Sequence, residues 1–310
     1  MRFGILGAAP FARRTLIEPA KACPDVQVHA VAARDRARAG AFAAKHGIPH
    51  VAGDYRALLA DDEIDAVYLP LPDDRHPEWV RAALEAGKHV LCERPLATGE
   101  DTVRELAKFA ADNGLVLTEN LPQRYHPLVR AARTVLDSGE LGAVRKIVLS
   151  AGVPGERRGP VVHGLGYEAV DLLRVLARAE TEGEPEPLSA RGGNRSMHAR
   201  LRLAGGGRAV LRAANWRLAL PRPVTHVYAT EGELRLINPF APHLGHQLAV
   251  LLGDTRTVRH FPRRTAYSYQ LDAFARAANT AEPEALVALS ETAATVRIVD
   301  ALYRSVGGKE

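Results

Sequence analysis

The chain is poor in cysteine, lysine and aromatic residues, and it lacks any long apolar run. Cys23 and Cys92 are its only cysteines. That excludes a disulfide framework and a cysteine-based zinc site, and it suits a reducing, cytoplasmic compartment. Aromatics are 5% of the chain, so no stacking platform for single-stranded nucleic acid is evident. The longest apolar runs are strand-sized, such as Ala66–Leu71, so no membrane span is expected. Met1-Arg2-Phe3-Gly4 leads straight into a strand-like run, so no secretion signal is expected. Lysine is scarce because 35 of the 41 basic residues are arginine, a composition that resembles a coding bias. The net charge of +5 is mild and dispersed, whereas nucleic-acid binding calls for a patch or stripe. It favours an anionic small-molecule ligand.

What is present is ordinary globular material. At 310 residues and 46% hydrophobic content the chain is large enough for two domains with real cores. No internal repeat or low-complexity tract occurs. Over the first 120 residues, apolar runs (Phe3–Leu6, Val26–Ala32, Ala66–Leu69, His89–Cys92, Leu115–Thr118) alternate with amphipathic stretches (Pro10–Ala22, Arg36–His46, His76–Ala86, Glu100–Asn113). Uninterrupted apolar strands separated by helices predict a parallel sheet covered on both faces, and Gly47, Gly87 and Gly114 mark helix ends. Beyond residue 120 the pattern predicts a helix over His126–Leu136 and a strand over Val144–Ser150. A loop follows over Gly152–Pro160, then a helix from about Gly166 to Arg178. Residues 188–260 read as antiparallel strands, and two closing helices follow at Tyr267–Thr280 and Ser290–Ser305. Glu180–Pro187 reads as a solvated acidic loop. The expected architecture is α/β: a dinucleotide-binding domain over 1–120 and an α/β domain with an open, mainly antiparallel sheet over 121–310.

Phe3-Gly4-Ile5-Leu6-Gly7-Ala8-Ala9-Pro10-Phe11-Ala12 is a strand, a tight turn and a helix start. In a dinucleotide fold Gly7 permits the turn, a small residue at Ala9 lets the backbone approach a pyrophosphate, and a small Ala12 allows helix–strand packing. The diphosphate then rests at the helix N-terminus, beside Pro10 and Phe11. The second strand ends Val31-Ala32-Ala33-Arg34, without the carboxylate that would hold a ribose 2′-hydroxyl. An arginine there suits a 2′-phosphate, which predicts NADP(H) over NAD(H). The competing reading makes Arg34 a solvated helix-start residue.

Four segments carry a family resemblance: Ala66-Val67-Tyr68-Leu69-Pro70-Leu71-Pro72 with His76; Ala86 to Ala97 with Glu93-Arg94-Pro95; Glu119 to Arg124-Tyr125-His126-Pro127; and Gly166-Tyr167-Glu168-Ala169-Val170-Asp171. Gly139-Glu140-Leu141-Gly142 and Asn238-Pro239-Phe240 also fit. Nearly the full length resembles the Gfo/Idh/MocA oxidoreductases, on their glucose–fructose oxidoreductase and dihydrodiol dehydrogenase side. The resemblance implies a Rossmann domain, a C-terminal helix packed back on it, and a homodimer or homotetramer formed through the open sheet. It implies hydride transfer between a nicotinamide and a carbinol carbon of a sugar, polyol or cyclic alcohol. It also implies that Leu71, Pro72, His76, Glu93 and Arg94 line the cofactor and that Arg124, Tyr125 and Asp171 lie on the substrate side.

The chain departs from the family at both proton-handling positions. The family's Glu-Lys-Pro is Glu93-Arg94-Pro95 here. Arginine can hold an oxyanion or carboxylate, yet its pKa above about 12 disqualifies it as a proton donor near neutrality. The family's Asp-x-Gly-x-(His or Tyr) is matched by Gly164, Gly166 and Glu168, with Tyr167 one position early and His163 just upstream. A small shift at the helix start could bring Tyr167 into the site. Glu168 is the first candidate acid or base, sharing a helix face with Asp171; Tyr125 or Tyr167 comes second and His163 third. A salt bridge is the other reading of Glu168. His243 and His246 lack an accompanying carboxylate, so no metal is expected there. Cys92 reads as core, and Arg157 and Arg158 as solvated or anion-facing. The expected activity is an NADP(H)-dependent oxidoreductase acting on a ketone, imine or conjugated bond of a small cyclic or sugar-like molecule. A non-redox cyclase, lyase or isomerase on the same scaffold and an inactive nucleotide-binding protein are the alternatives.

Overall fold

The computed structural model describes residues 1–154, 161–193, 195–216, 223–280 and 286–306. Arg157 and Arg158 lie outside them. The chain divides into two compact units, Met1–Pro122 with Tyr267–Ala293, and Gln123–Ala266 with Ala294–Glu310.

The first unit is built on β1 (Arg2–Leu6), β2 (Gln27–Ala32), β3 (His50–Val51), β4 (Ala66–Leu69), β5 (His89–Cys92) and β6 (Leu117–Glu119), all parallel in the order β3-β2-β1-β4-β5-β6. This is the doubly wound order, in which the strand sequence reverses beside β1 and a ligand crevice opens at the carboxyl ends. Strand β4 is buried at every position, as helices on both faces require. The helix Arg36–His46 shows why these segments hold their bounds. Asp35 caps it by accepting from the amides of Ala37 and Arg38, and Gly47 ends it at φ 68°, a left-handed conformation that suits glycine.

The amphipathic stretch Pro10–Ala22 departs from one regular helix. It forms a π turn over Arg13–Ile17, where the Glu18 amide bonds the Arg13 carbonyl, followed by a short helix over Glu18–Ala20. Pro19 has no N–H to continue the ladder, which favours the wider turn beside it. The helix Ala266–Thr280, expected in the second half of the chain, contributes most of its length to the first unit. Phe274 is fully buried with its ring 5.4 Å from that of Phe3, and Gln270 donates to the Glu119 carbonyl.

The second unit carries β7 (Val144–Pro154), β8 (Glu186–Gly192), β9 (Ser196–Arg202), β10 (Arg208–Trp216), β11 (Val224–Ala229), β12 (Gly232–Ile237), β13 (Gln247–Leu252) and β14 (Thr255–Arg259), in the order β14-β13-β12-β11-β7-β10-β9-β8. Every neighbouring pair is antiparallel except β7 and β10, which run parallel. The helix Tyr167–Leu176 packs against β7 and β10. Glu180–Pro187 is more than a solvated loop. It spans parts of a short helix (Ala179–Glu182) and of β8, and Glu184 makes a two-pronged pair with Arg174 at 2.6 and 2.8 Å. Arg174 is fully buried and also donates to Thr295. A buried guanidinium needs a compensating carboxylate, which is what draws the acidic segment inward.

Candidate active site

In the first unit, the turn after β1 brings together the residues read as a diphosphate cradle. Gly7 has φ 122°, and its amide donates to the Ala32 carbonyl of β2. A Cβ at this glycine would sit 3.1 Å from Leu71 Cδ2, so a side chain here is opposed by both strain and crowding. The chain then turns tightly, with the Ala9 amide on the Gly7 carbonyl and the Ala12 amide on the Ala9 carbonyl. Ala12 is fully buried against the sheet, while Pro10 and Phe11 are exposed at the mouth of the turn. The crowding beside Leu71 shows that the loop after β4 borders the same turn. Pro72 continues that loop at the surface.

Arg34 follows β2 with its side chain exposed. Arg38 lies one helical turn further on and donates to the Ala8 carbonyl of the cradle at 3.1 Å. Neither has a carboxylate within ion-pairing distance among the described residues. Burial raises the Tyr55 phenol, and the positive charges of Arg34, Arg75 and Arg38 act against that rise. Two arginines without acidic partners, next to an open backbone cradle, fit the 2′-phosphate and diphosphate of NADP. Arg38 was not picked out from the sequence; its i+4 spacing from Arg34 was the available signal.

Glu93 is the hub of a buried polar network. One carboxylate oxygen accepts from the Tyr68 hydroxyl at 2.6 Å and from Asn120 Nδ2 at 2.5 Å, and the other lies 3.6 Å from Arg94 Nη1. Tyr68 also shares a hydrogen bond of 2.6 Å with Thr15. Burial, reinforced by the Glu93 charge, pushes the Tyr68 phenol well above its ordinary range, so it remains a donor to the carboxylate. The network therefore fixes Glu93, with the Arg94 head group 3.6 Å from its other carboxylate oxygen. Tyr68, Asn120 and Thr15 were missed in the sequence because nothing in their spacing shows that they meet. His76 is fully buried, with Nδ1 2.7 Å from the Pro95 carbonyl and Nε2 3.0 Å from the Leu71 carbonyl. Both ring nitrogens are thus engaged by backbone, and His76 clamps the Leu71 loop to the Glu93-Arg94-Pro95 segment. Cys92 is a buried core thiol whose pKa burial drives up.

In the second unit, a π turn over Val162–Gly166 leads into the helix Tyr167–Leu176, with the Gly166 amide bonding the Val161 carbonyl at 2.8 Å. A Cβ on Gly166 would stand 3.0 Å from that carbonyl and 3.1 Å from Met197 Cε, so a small residue is required. A π turn inserts one residue into the helical register, and such turns recur at functional sites. It lies where Tyr167 stands one position early. Tyr167 is 1% exposed, Tyr125 is 4% exposed, and Glu168 and His163 are half-buried, His163 with its ring 4.6 Å from that of Tyr303. Asp171 is fully buried and accepts from Gln123 at 3.0 Å and from Arg124 Nε at 2.8 Å. Arg124 Nη2 lies 2.6 Å from the same carboxylate, so Asp171 directly engages Arg124. His246 bonds the Pro242 carbonyl through Nδ1 and accepts from the Phe261 amide through Nε2, which leaves neither nitrogen for a metal.

Comparison with known proteins identifies the family and the fold. Residues 1–121 match the profile of the Gfo/Idh/MocA oxidoreductase family, described by its NAD-binding Rossmann fold. The chain is 33% identical to D-xylose 1-dehydrogenase (NADP(+)) 2 of Haloferax volcanii, over 98% of this chain and 97% of that protein. It is 34% identical to a dTDP-3,4-didehydro-2,6-dideoxy-α-D-glucose 3-reductase of Streptomyces antibioticus, over 80% of this chain and 78% of that one. Its fold is similar to that of KijD10, a 3-ketoreductase from Actinomadura kijaniata solved with NADP and TDP-benzene. That match has TM-score 0.86 at 26% identity and covers 99% and 98% of the two chains. The chain belongs to the Gfo/Idh/MocA family of oxidoreductases.

Proposed function

We propose that the protein is an NADP(H)-dependent oxidoreductase acting on a carbonyl, imine or conjugated bond of a small sugar-like molecule, with Arg94 in the place of the family's lysine. The observation that carries this reading is the pair Arg34 and Arg38, without acidic partners among the described residues, beside the Gly7 cradle. The NADP named for the xylose dehydrogenase and bound in KijD10 supports it. When bound, the nicotinamide supplies or accepts the hydride. The turn from Gly7 to Ala12 would seat the diphosphate, with the Ala8 and Phe11 amides as its donors because those of Gly7, Ala9 and Ala12 bond within the turn and to β2, and Arg34 and Arg38 would hold the 2′-phosphate. The Glu93–Tyr68–Asn120 network orients Arg94, whose guanidinium donates to the oxygen or nitrogen that becomes negative as hydride is delivered. Arginine stays charged throughout, so another group must move the proton. Glu168 is assigned that role: it is half-buried and carries a titratable carboxyl, whereas Tyr167 and Tyr125 are almost fully enclosed. Asp171 orients Arg124 for the substrate side. The reading includes a cytoplasmic homodimer or homotetramer.

The test is a calorimetric titration with NADPH and NADP⁺, followed by an assay of reduced-nicotinamide absorbance with aldoses and keto-sugars. Saturable NADPH binding and substrate-dependent absorbance change are expected, and Arg94→Lys should increase turnover of alcohol substrates. Binding without turnover would favour a nucleotide-binding protein without catalysis, and absence of nicotinamide binding would overturn the redox reading.

A further inference from the structure

A second cluster lies in the first unit, at the edge of its sheet. His29 stands on β2, three residues before Ala32, whose carbonyl receives the Gly7 amide. At about 3.3 Å per residue that is about 10 Å along the strand from the cradle. His50 begins the two-residue edge strand β3, and its ring centroid is 4.4 Å from that of His29. Glu63 lies in the turn before β4, with Oε2 3.4 Å from His29 Nε2. One potential ligand atom from each of these three side chains lies within 4.8 Å of the other two.

Three features distinguish this group from a chance gathering of polar residues. The His29 side chain is nine-tenths buried, and its Nε2, though 3.4 Å from Glu63 Oε2, is shielded from solvent and makes no hydrogen bond among the described residues. A buried nitrogen in that state is costly unless something else meets its lone pair. The turn that presents Glu63 is held from beneath: the buried Lys88 donates to the carbonyls of Asp61 and Ile64, both at 2.8 Å. The other Glu63 oxygen already accepts from Arg2 at 2.8 Å. That is the outer-shell support ligating carboxylates ordinarily have, and it leaves Oε2 turned toward the histidines.

We propose that His29, His50 and Glu63 form a binding site for a divalent transition-metal ion of the zinc class. Two imidazoles and one carboxylate are a donor set that zinc accepts, with water in the fourth position. Zinc bonds of about 2.0–2.2 Å in a tetrahedron place ligand atoms about 3.3–3.5 Å apart, which the His29–Glu63 pair already satisfies. His50 is exposed and can close the remaining distance by side-chain rotation. The bound ion would tie the short edge strand and the Glu63 turn to β2, which makes it a staple of the sheet rather than part of the nucleotide chemistry.

Zinc alone is the probe. The full-length protein is stripped with a chelator and titrated with zinc against a chromophoric competitor. One zinc per chain is expected, with a rise in Tm that the chelator reverses. His50→Ala and Glu63→Gln should each weaken binding at least tenfold, and the same wild-type Tm in chelator should verify their fold. X-ray absorption should show nitrogen and oxygen ligands without sulfur. The proposal is overturned if the wild type binds no zinc, or if both variants keep wild-type affinity. Nicotinamide is absent throughout, so failure here is separate from failure of the oxidoreductase reading.

Discussion

Arg34→Ala tests the cofactor assignment most directly. Among the described residues Arg34 has no carboxylate partner to release, and its side chain is exposed, so on the proposed reading its loss would remove a ligand contact without uncovering a buried charge. A charge-assisted hydrogen bond contributes about 1.5–3 kcal/mol, and solvent exposure puts this one near the lower end. At about 1.4 kcal/mol per decade, the Kd for NADPH should rise roughly tenfold, while that for NADH should change less than about twofold. Arg38→Ala should differ in kind. Arg38 also donates to the Ala8 carbonyl of the turn, so its loss should weaken both nucleotides. Calorimetric titration of wild type and each variant with NADPH and NADH gives the four constants needed. Repeating the NADPH titration at high salt should shrink the Arg34 effect, because the phosphate–guanidinium attraction is screened. Equal weakening of NADH and NADPH by Arg34→Ala would refute the 2′-phosphate assignment.

Three further outcomes follow from the same geometry. Gly7→Ala forces a side chain into φ 122° beside Leu71, so it should weaken NADPH and NADH alike, measured by the same titrations. Tyr68→Phe removes one of the donors to Glu93 and leaves Thr15 without its phenol partner. It should cost about 1–3 kcal/mol in urea denaturation, and an unchanged midpoint would show the network to be unimportant. His126 is held neutral, its pKa lowered to about 4 from 6.5 chiefly by burial and next by His246. The unfolded chain therefore takes up a proton first, so this group makes stability fall as pH drops from 6.5 toward 4. His126 caps its helix by accepting from the Leu128 amide. His126→Asn puts an amide oxygen in place of the capping Nδ1 and should flatten that slope in denaturation series across the acid range, at some cost in stability near neutrality.

The local order of the first unit was legible in the chain. Short apolar runs between amphipathic stretches, closed by Gly47, Gly87 and Gly114, specify buried parallel strands and helix ends, because burial pattern and left-handed glycines act over a few residues. Gly7, Ala9 and Ala12 were readable for the same reason: the turn is made within one stretch of backbone. Arg34 was readable as an arginine standing where an acid is expected.

Tertiary structure decided everything that depends on residues distant in sequence. The Glu93 network joins Thr15 of the π turn, Tyr68 of β4 and Asn120 just after β6. Asp171, placed on the substrate side from its motif, is occupied by Gln123 and Arg124 from 47–48 residues away. Glu184 is drawn in to a guanidinium buried by the helix that carries it. The π turn before Tyr167 and Glu168 ends at Gly166, where Met197, 31 residues on in sequence, leaves no room for a side chain. The helix Ala266–Thr280 joins the first unit because Phe274 meets Phe3 there. Periodicity records which face of an element is apolar. Which partner covers that face, and which polar groups meet beneath it, is fixed only when the folded chain balances desolvation against the contacts that relieve it.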